Sequence, residues 1–102
     1  MADKDVSITI SGRTITASPD SVSVKQNNEK VKWSCTTSES IQSITIDFPG
    51  HDWDVDLKKT GNSWSGTSRE FPDTGTFKYN INVSYGTSAE TLDPQVIVQT
   101  GP

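Results

Sequence analysis

An all-β sandwich is the fold this chain predicts, and three observations predict it. Between Gly75 and Tyr85, residues Phe77, Tyr79, Ile81, Val83 and Tyr85 alternate with Lys78, Asn80, Asn82 and Ser84. That period of two marks a strand with one buried and one wetted face. The 102 residues include 14 Ser and 13 Thr beside many Val and Ile, with few Leu and Ala, a balance that suits pleated, half-buried surface better than helix. Turn residues recur about every 8–12 positions, the spacing of a sandwich or barrel.

Strands are predicted near 6–10, 13–17, 21–25, 30–36, 42–48, 53–58, 63–69, 75–85 and 94–100. Breaks come at Ser11-Gly12, Pro19-Asp20, Gln26-Asn27-Asn28, Pro49-Gly50, Gly61-Asn62, Pro72-Asp73 and Gly86-Thr87, where Gly, Pro, Asn and Asp supply the backbone angles that strands cannot. No segment sustains a helical period. The connection 86–93 reads as a loop, with Leu92 tucked in as an anchor before Asp93-Pro94.

Parity assigns the inner face. Val22 and Val24 are expected to pair with Val31, Trp33 and Cys35 across the Gln26–Glu29 turn, with Ile44, Ile46 and Phe48 continuing that face. Phe77 to Val83, with Val96 and Val98, should close it. Each large side chain buried contributes about 1.5–3 kcal/mol, so this set alone can carry a fold. Ile97 breaks parity between Val96 and Val98, which suits a central strand or one covered by the 86–93 loop. Two sheets stacked face to face satisfy the whole pattern.

A chain of 102 residues makes a single domain over 1–102, with 1–4 and 100–102 expected to be loose ends. Net charge is −4 and the isoelectric point about 4.7, so the long-range field repels phosphate backbones, and nucleic acid is not an expected partner. The start MADKDVSITISG holds no apolar run able to act as a signal or membrane span. Membrane insertion is therefore not expected, and the compartment stays open between cytoplasm and, had a leader been removed, periplasm or exterior. One cysteine, Cys35, cannot form an internal disulfide.

Several motifs point towards a family. Ser18-Pro19-Asp20-Ser21-Val22-Ser23-Val24, a polar turn and Val31-Lys32-Trp33 are followed by Ile44-Thr45-Ile46-Asp47-Phe48, then Gly75-Thr76-Phe77-Lys78-Tyr79 and a final apolar strand at Val96-Ile97-Val98. This succession, over residues 18 to 98, resembles a cupredoxin, the Greek-key antiparallel sandwich of small blue copper proteins. The resemblance implies such a sandwich with about seven to nine strands, and it places Ile44 at the first His ligand, Ile81 at the Cys, and Ser84 and Ala89 near the second His and the Met. Imidazole and soft sulfur select copper; aliphatic carbon does not. What is implied is the sandwich without its metal. The run Asp73-Thr74-Gly75-Thr76-Phe77-Lys78-Tyr79 also resembles the D-x-G-x-Y-x-C corner of immunoglobulin domains. There Phe77 lacks the hydroxyl of a tyrosine corner and Tyr79 stands where a disulfide Cys would be.

Candidate sites are few. Asp52, Asp54 and Asp56 form the only carboxylate cluster, and oxygen-rich clusters hold hard cations. An EF-hand would need Gly at Leu57 and Glu at Ser63, so an edge strand with one acidic face is the plainer reading. His51 follows Pro49-Gly50 and has no second His to pair with. Cys35 shares parity with Val31 and Trp33, which makes it a packed thiol rather than a nucleophile. Neither G-x-S-x-G nor a phosphate-cradling glycine loop occurs, so no catalytic residue is expected. Trp53, Trp64 and Tyr85 are the candidate interface residues, either core caps or an exposed platform for stacking on sugars.

The sequence thus predicts a non-catalytic, cofactor-free, acidic β-sandwich with a structural or protein-binding role. A carbohydrate-binding module and an immunoglobulin-like adhesion domain are its alternatives.

Overall fold

A computed structural model describes residues 4–12, 14–37 and 40–100. The ends expected to be loose fall outside it except for Lys4 and Thr100, and Lys4 is held, its N–H donating to the Lys30 carbonyl at 2.8 Å. Twelve strands form where nine were expected: β1 (Lys4–Ser11), β2 (Thr14–Ser18), β3 (Ser21–Lys25), β4 (Val31–Thr36), β5 (Ser43–Asp47), β6 (Val55–Asp56), β7 (Lys58–Thr60), β8 (Ser63–Thr67), β9 (Gly75–Lys78), β10 (Asn80–Ser84), β11 (Ala89–Leu92) and β12 (Gln95–Gln99). The fold is all-β, as the composition and alternation require, and its arrangement is that of a sandwich.

One layer is the five-stranded sheet β2-β1-β4-β8-β7. The other joins the sheets β11-β10-β5-β6 and β3-β12-β9, because Phe77 lies opposite Val96, Ile81 opposite Leu92 and Ser84 opposite Ala89 in one unbroken register. β9 and β10 are therefore one arm of a hairpin, and β11 and β12 the other. The predicted strand 75–85 is interrupted at Tyr79, which faces Pro94. Proline has no N–H to return to the ladder, so only one bond survives there, from Tyr79 N–H to the Pro94 carbonyl at 3.0 Å. Beyond that point the arms take different neighbours: β10 pairs with β5, and β12 with β3.

Three expectations need correction. The 86–93 connection is not all loop, since Ala89–Leu92 forms β11 along β10. Thr91 favours a strand but Ala89 and Glu90 do not, and the neighbouring ladder makes the segment one. Val22 and Val24 do not pair with β4: β3 runs parallel to β12, and β4 runs parallel to β1 and antiparallel to β8. The five residues between β3 and β4 carry the chain from one layer to the other, so these valines face the core from the layer opposite Trp33. The five-stranded and three-stranded sheets are accordingly mixed, while β11-β10-β5-β6 is purely antiparallel. Finally, the strand expected at 53–58 divides at Leu57, 5% exposed, with β6 pairing to β5 in one layer and β7 to β8 in the other.

That division explains Gly66. A Cβ there would lie 2.9 Å from Val55 Cγ1 and 3.3 Å from Leu57 Cδ1, so glycine lets β8 lie under the crossing chain without displacing those side chains. Ile97 sits on β12, the central strand of its sheet, which accounts for its break in parity.

Between the layers lies one cluster of buried side chains. Its centre is aromatic: Trp33 and Tyr79, both fully buried, pack edge to face at 5.5 Å, and Trp33 Nε1–H donates to Tyr79 Oη at 3.1 Å. Phe48 touches Tyr79, Trp53 and Phe71 at centroid separations of 5.2, 5.6 and 5.7 Å. Such pairs add about 0.5–1.5 kcal/mol each beyond their buried area. Ser68, the buried polar residue of the cluster's rim, extends the β4–β8 ladder by accepting from Val31 N–H at 2.9 Å and donating to the Arg69 carbonyl at 2.8 Å.

Burial pushes the Tyr79 hydroxyl up to about 12; the Trp33 hydrogen bond opposes this and the Asp20 charge adds to it. The folded protein thus keeps a proton that the unfolded chain releases near pH 10. Its stabilisation is complete below pH 10 and is lost as pH rises from about 10 towards 12, a drop of about 2–3 kcal/mol. Tyr79→Phe should flatten that alkaline decline in urea-unfolding curves while costing about 1 kcal/mol at pH 7, where Trp33 loses its acceptor; an unchanged alkaline slope would remove Tyr79 from the account. Gly66→Ala should cost about 1–3 kcal/mol, read as a lower urea midpoint at constant m-value, whereas a midpoint equal to the parent's would mean Val55 and Leu57 yield freely.

Candidate functional site

The residues singled out by sequence do not converge. Trp53 follows β5, and its ring is enclosed by Phe48, Phe71, Phe77 and His51. Trp64 stands on β8 in the opposite layer, opposite Cys35 of β4 and Lys59 of β7, with Lys59 Nζ 5.9 Å above its ring. Tyr85 follows β10 and points its hydroxyl towards the Gly12 carbonyl, 3.5 Å away. Trp53 is 4% and Trp64 6% exposed, so neither presents a face on which a sugar could stack, and the three rings lie in three separate places. The platform geometry is not assembled. Tryptophans at period two with apolar neighbours pack inward because the gain from burying an indole exceeds that from leaving it wet.

His51 is exposed yet not idle. Its imidazole lies flat on Trp53 at 4.1 Å and 12°, and meets Phe77 edge-on at 5.3 Å. The turn that places it is closed by His51 N–H donating to the Phe48 carbonyl at 3.0 Å, and by Phe48 N–H donating to Asp54 Oδ1 at 3.2 Å. Asp54 therefore works on the backbone. Asp52 is exposed in the same loop, while Asp56 projects from β6 opposite Thr45. Among the described residues, no group of three or more His, Cys, Asp and Glu side chains is arranged to hold a metal ion.

Cys35 is 2% exposed on β4, and burial raises its thiol above the usual range. A thiol so placed resists becoming the thiolate that chemistry needs. Ile44 and Ile81, the positions that the cupredoxin resemblance assigns to ligands, are 1% and 0% exposed on the neighbouring strands β5 and β10. Ser84 donates through Oγ to Gln42 Oε1 at 3.1 Å and accepts from Gly86 N–H at 3.4 Å, and Ala89 is exposed on β11. Two buried isoleucines offer copper no donor atom, so the residues present do not fit that metal.

Two hollows escaped the sequence reading. One, about 330 Å³, opens where the long hairpin breaks, lined by Asp20, Ser21, Lys78, Leu92, Asp93, Pro94 and Gln95. Gln95 organises it, donating from its N–H to the Asp20 carbonyl at 3.1 Å and from Nε2 to Ser21 Oγ at 3.3 Å. The second, about 440 Å³, is lined by Asn27, Lys30, Arg69 and Glu70. Neither set is close in sequence, and no residue pattern signals them: each exists only because distant segments are laid side by side.

His51→Ala should uncover Trp53, giving a red-shifted tryptophan emission, stronger acrylamide quenching, and a stability loss of about 0.5–1.5 kcal/mol. Unaltered quenching would show that the phenylalanines alone shield the indole.

Set against known protein-family models and curated proteins, the chain finds no match, so its role is read from its own geometry.

Proposed function

We propose that this chain is a non-catalytic, cupredoxin-like Greek-key module that carries no copper and serves a structural or protein-interaction role. The observation that carries the reading is the state of Ile44 and Ile81. They pack into the core from β5 and β10, and they are the positions that the cupredoxin resemblance assigns to imidazole and thiolate. Filling that space with hydrocarbon contributes to the fold what a metal pocket would subtract from it.

Support for a non-catalytic role comes from where the reactive side chains stand. Cys35, Trp33 and Tyr79 are interior, and the Tyr79 hydroxyl is already engaged by Trp33. The remaining polar surface is dominated by Ser and Thr on the outer faces of strands, as on β1, β2, β4 and β8. Such a wet, acidic sandwich suits a scaffold or a partner-binding domain. Edge strand β7 carries Lys58 and Lys59, charges that discourage unplanned strand pairing.

Adding Cu(II), with and without reductant, to the purified protein should produce no intense blue thiolate-to-copper absorption and no rise in melting temperature. A blue colour lost on Cys35→Ser would overturn the metal-free reading.

A further inference from the structure

The cleft between the 26–30 turn and the Arg69-Glu70 segment has the makings of an anion site. Its walls are tied together by hydrogen bonds. Asn28 and Glu29 N–H groups donate to the Lys25 carbonyl at 3.3 and 3.2 Å, and Asn27 N–H donates to the Phe71 carbonyl at 3.0 Å. Gln26 Nε2 reaches the Pro72 carbonyl at 2.7 Å, and Ser68 joins Val31 through both its backbone and its hydroxyl. Asn27, with φ of 54°, adopts the left-handed conformation that asparagine tolerates in such turns.

Two cations, Lys30 and Arg69, and one carboxylate, Glu70, line this cleft. Among the described residues the ion pair at this end joins Lys4 to Glu29 at 3.9 Å, leaving Lys30 and Arg69 outside it. Arg69 is oriented by its own backbone neighbourhood, Nε donating to the Glu70 carbonyl at 3.2 Å, which leaves its terminal nitrogens for a forked contact. The Asn27 amide adds a neutral donor, and Glu70 sets a negative charge at the same cleft. Two positive charges and one negative leave the cleft with a net positive charge that an oxyanion can meet.

We propose that this cleft binds a small oxyanion, a phosphoryl or carboxylate group, held by Lys30 and Arg69 and weakened by Glu70. The site is independent of the metal-free reading, since it involves neither the core nor the positions of Ile44 and Ile81. Open to solvent and set in a protein of net charge −4, it should bind weakly, with a dissociation constant on the order of 1 mM.

Titration of inorganic phosphate into the isotope-labelled protein at constant, low ionic strength tests this through backbone amide shifts. Saturable shifts confined to residues 26–31 and 68–71 are expected. Arg69→Gln and Lys30→Gln should each weaken binding about fivefold, whereas Glu70→Gln should tighten it severalfold. That opposite sign is one that loss of folding cannot produce, and melting curves of each variant check that the fold is kept. A parallel acetate titration separates the sources: tighter phosphate assigns a phosphoryl ligand, tighter acetate a carboxylate. Unsaturable shifts, equal shifts around Lys58 and Lys59, or indifference to Arg69→Gln and Glu70→Gln would overturn the proposal.

Discussion

The buried hydrogen bond from Trp33 to Tyr79 is the contact on which the two layers depend. An indole N–H and a phenol hydroxyl are both costly to leave unpaired in a dry interior, so each dictates where the other must lie. Trp33 is set by β4 in the five-stranded layer, and Tyr79 by the hairpin of the other. Their bond therefore sets which point of one layer faces which point of the other at the centre of the core, while the packed side chains around it set the separation. Phe48 and Trp53 then pack outward from Tyr79 towards His51, so the aromatic series runs from the molecular centre to its surface.

Around that contact the chain changes layer or partner at places with a local cause. Pro94 cannot donate to the ladder opposite Tyr79, and the hairpin arms part there to find different neighbours. Leu57 buries its side chain and donates its N–H to the Ile44 carbonyl at 3.0 Å, which ties one layer's edge at the point where the chain leaves for the other. Gly66 accommodates that crossing by having no Cβ. These devices stitch the sandwich along an edge where separate sheets would otherwise expose core.

Much of this was legible beforehand. Inward residues along β3, β4, β5, β10 and β12 were identified by period two, because alternation reports burial directly: Val22, Val24, Val31, Trp33, Cys35, Ile44, Ile46, Phe48, Ile81, Val83, Val96 and Val98 are all buried, whereas the buried Val6, Ile8 and Ile10 of β1 were not assigned. What period two does not encode is adjacency. A valine facing inward on β3 has the same pattern whether its strand lies beside β4 or beside β12, and so the expected β3–β4 ladder did not form. Strand β11 was missed for a related reason: Thr91 favours a strand but Ala89 and Glu90 do not, and the extended form of the segment is imposed by β10. The clefts were illegible altogether, since Lys30 and Arg69 lie far apart along the chain.

Alone, the sequence determined the class of fold, the identity of the buried face and the chemical poverty of the interior, because these follow from the order of polar and apolar side chains along an extended backbone. Only the tertiary structure decided which strands are neighbours, that two of the pairings are parallel, and which charged side chains share a hollow. Those outcomes depend on contacts between residues distant in the chain, whose energies are not written in any local pattern.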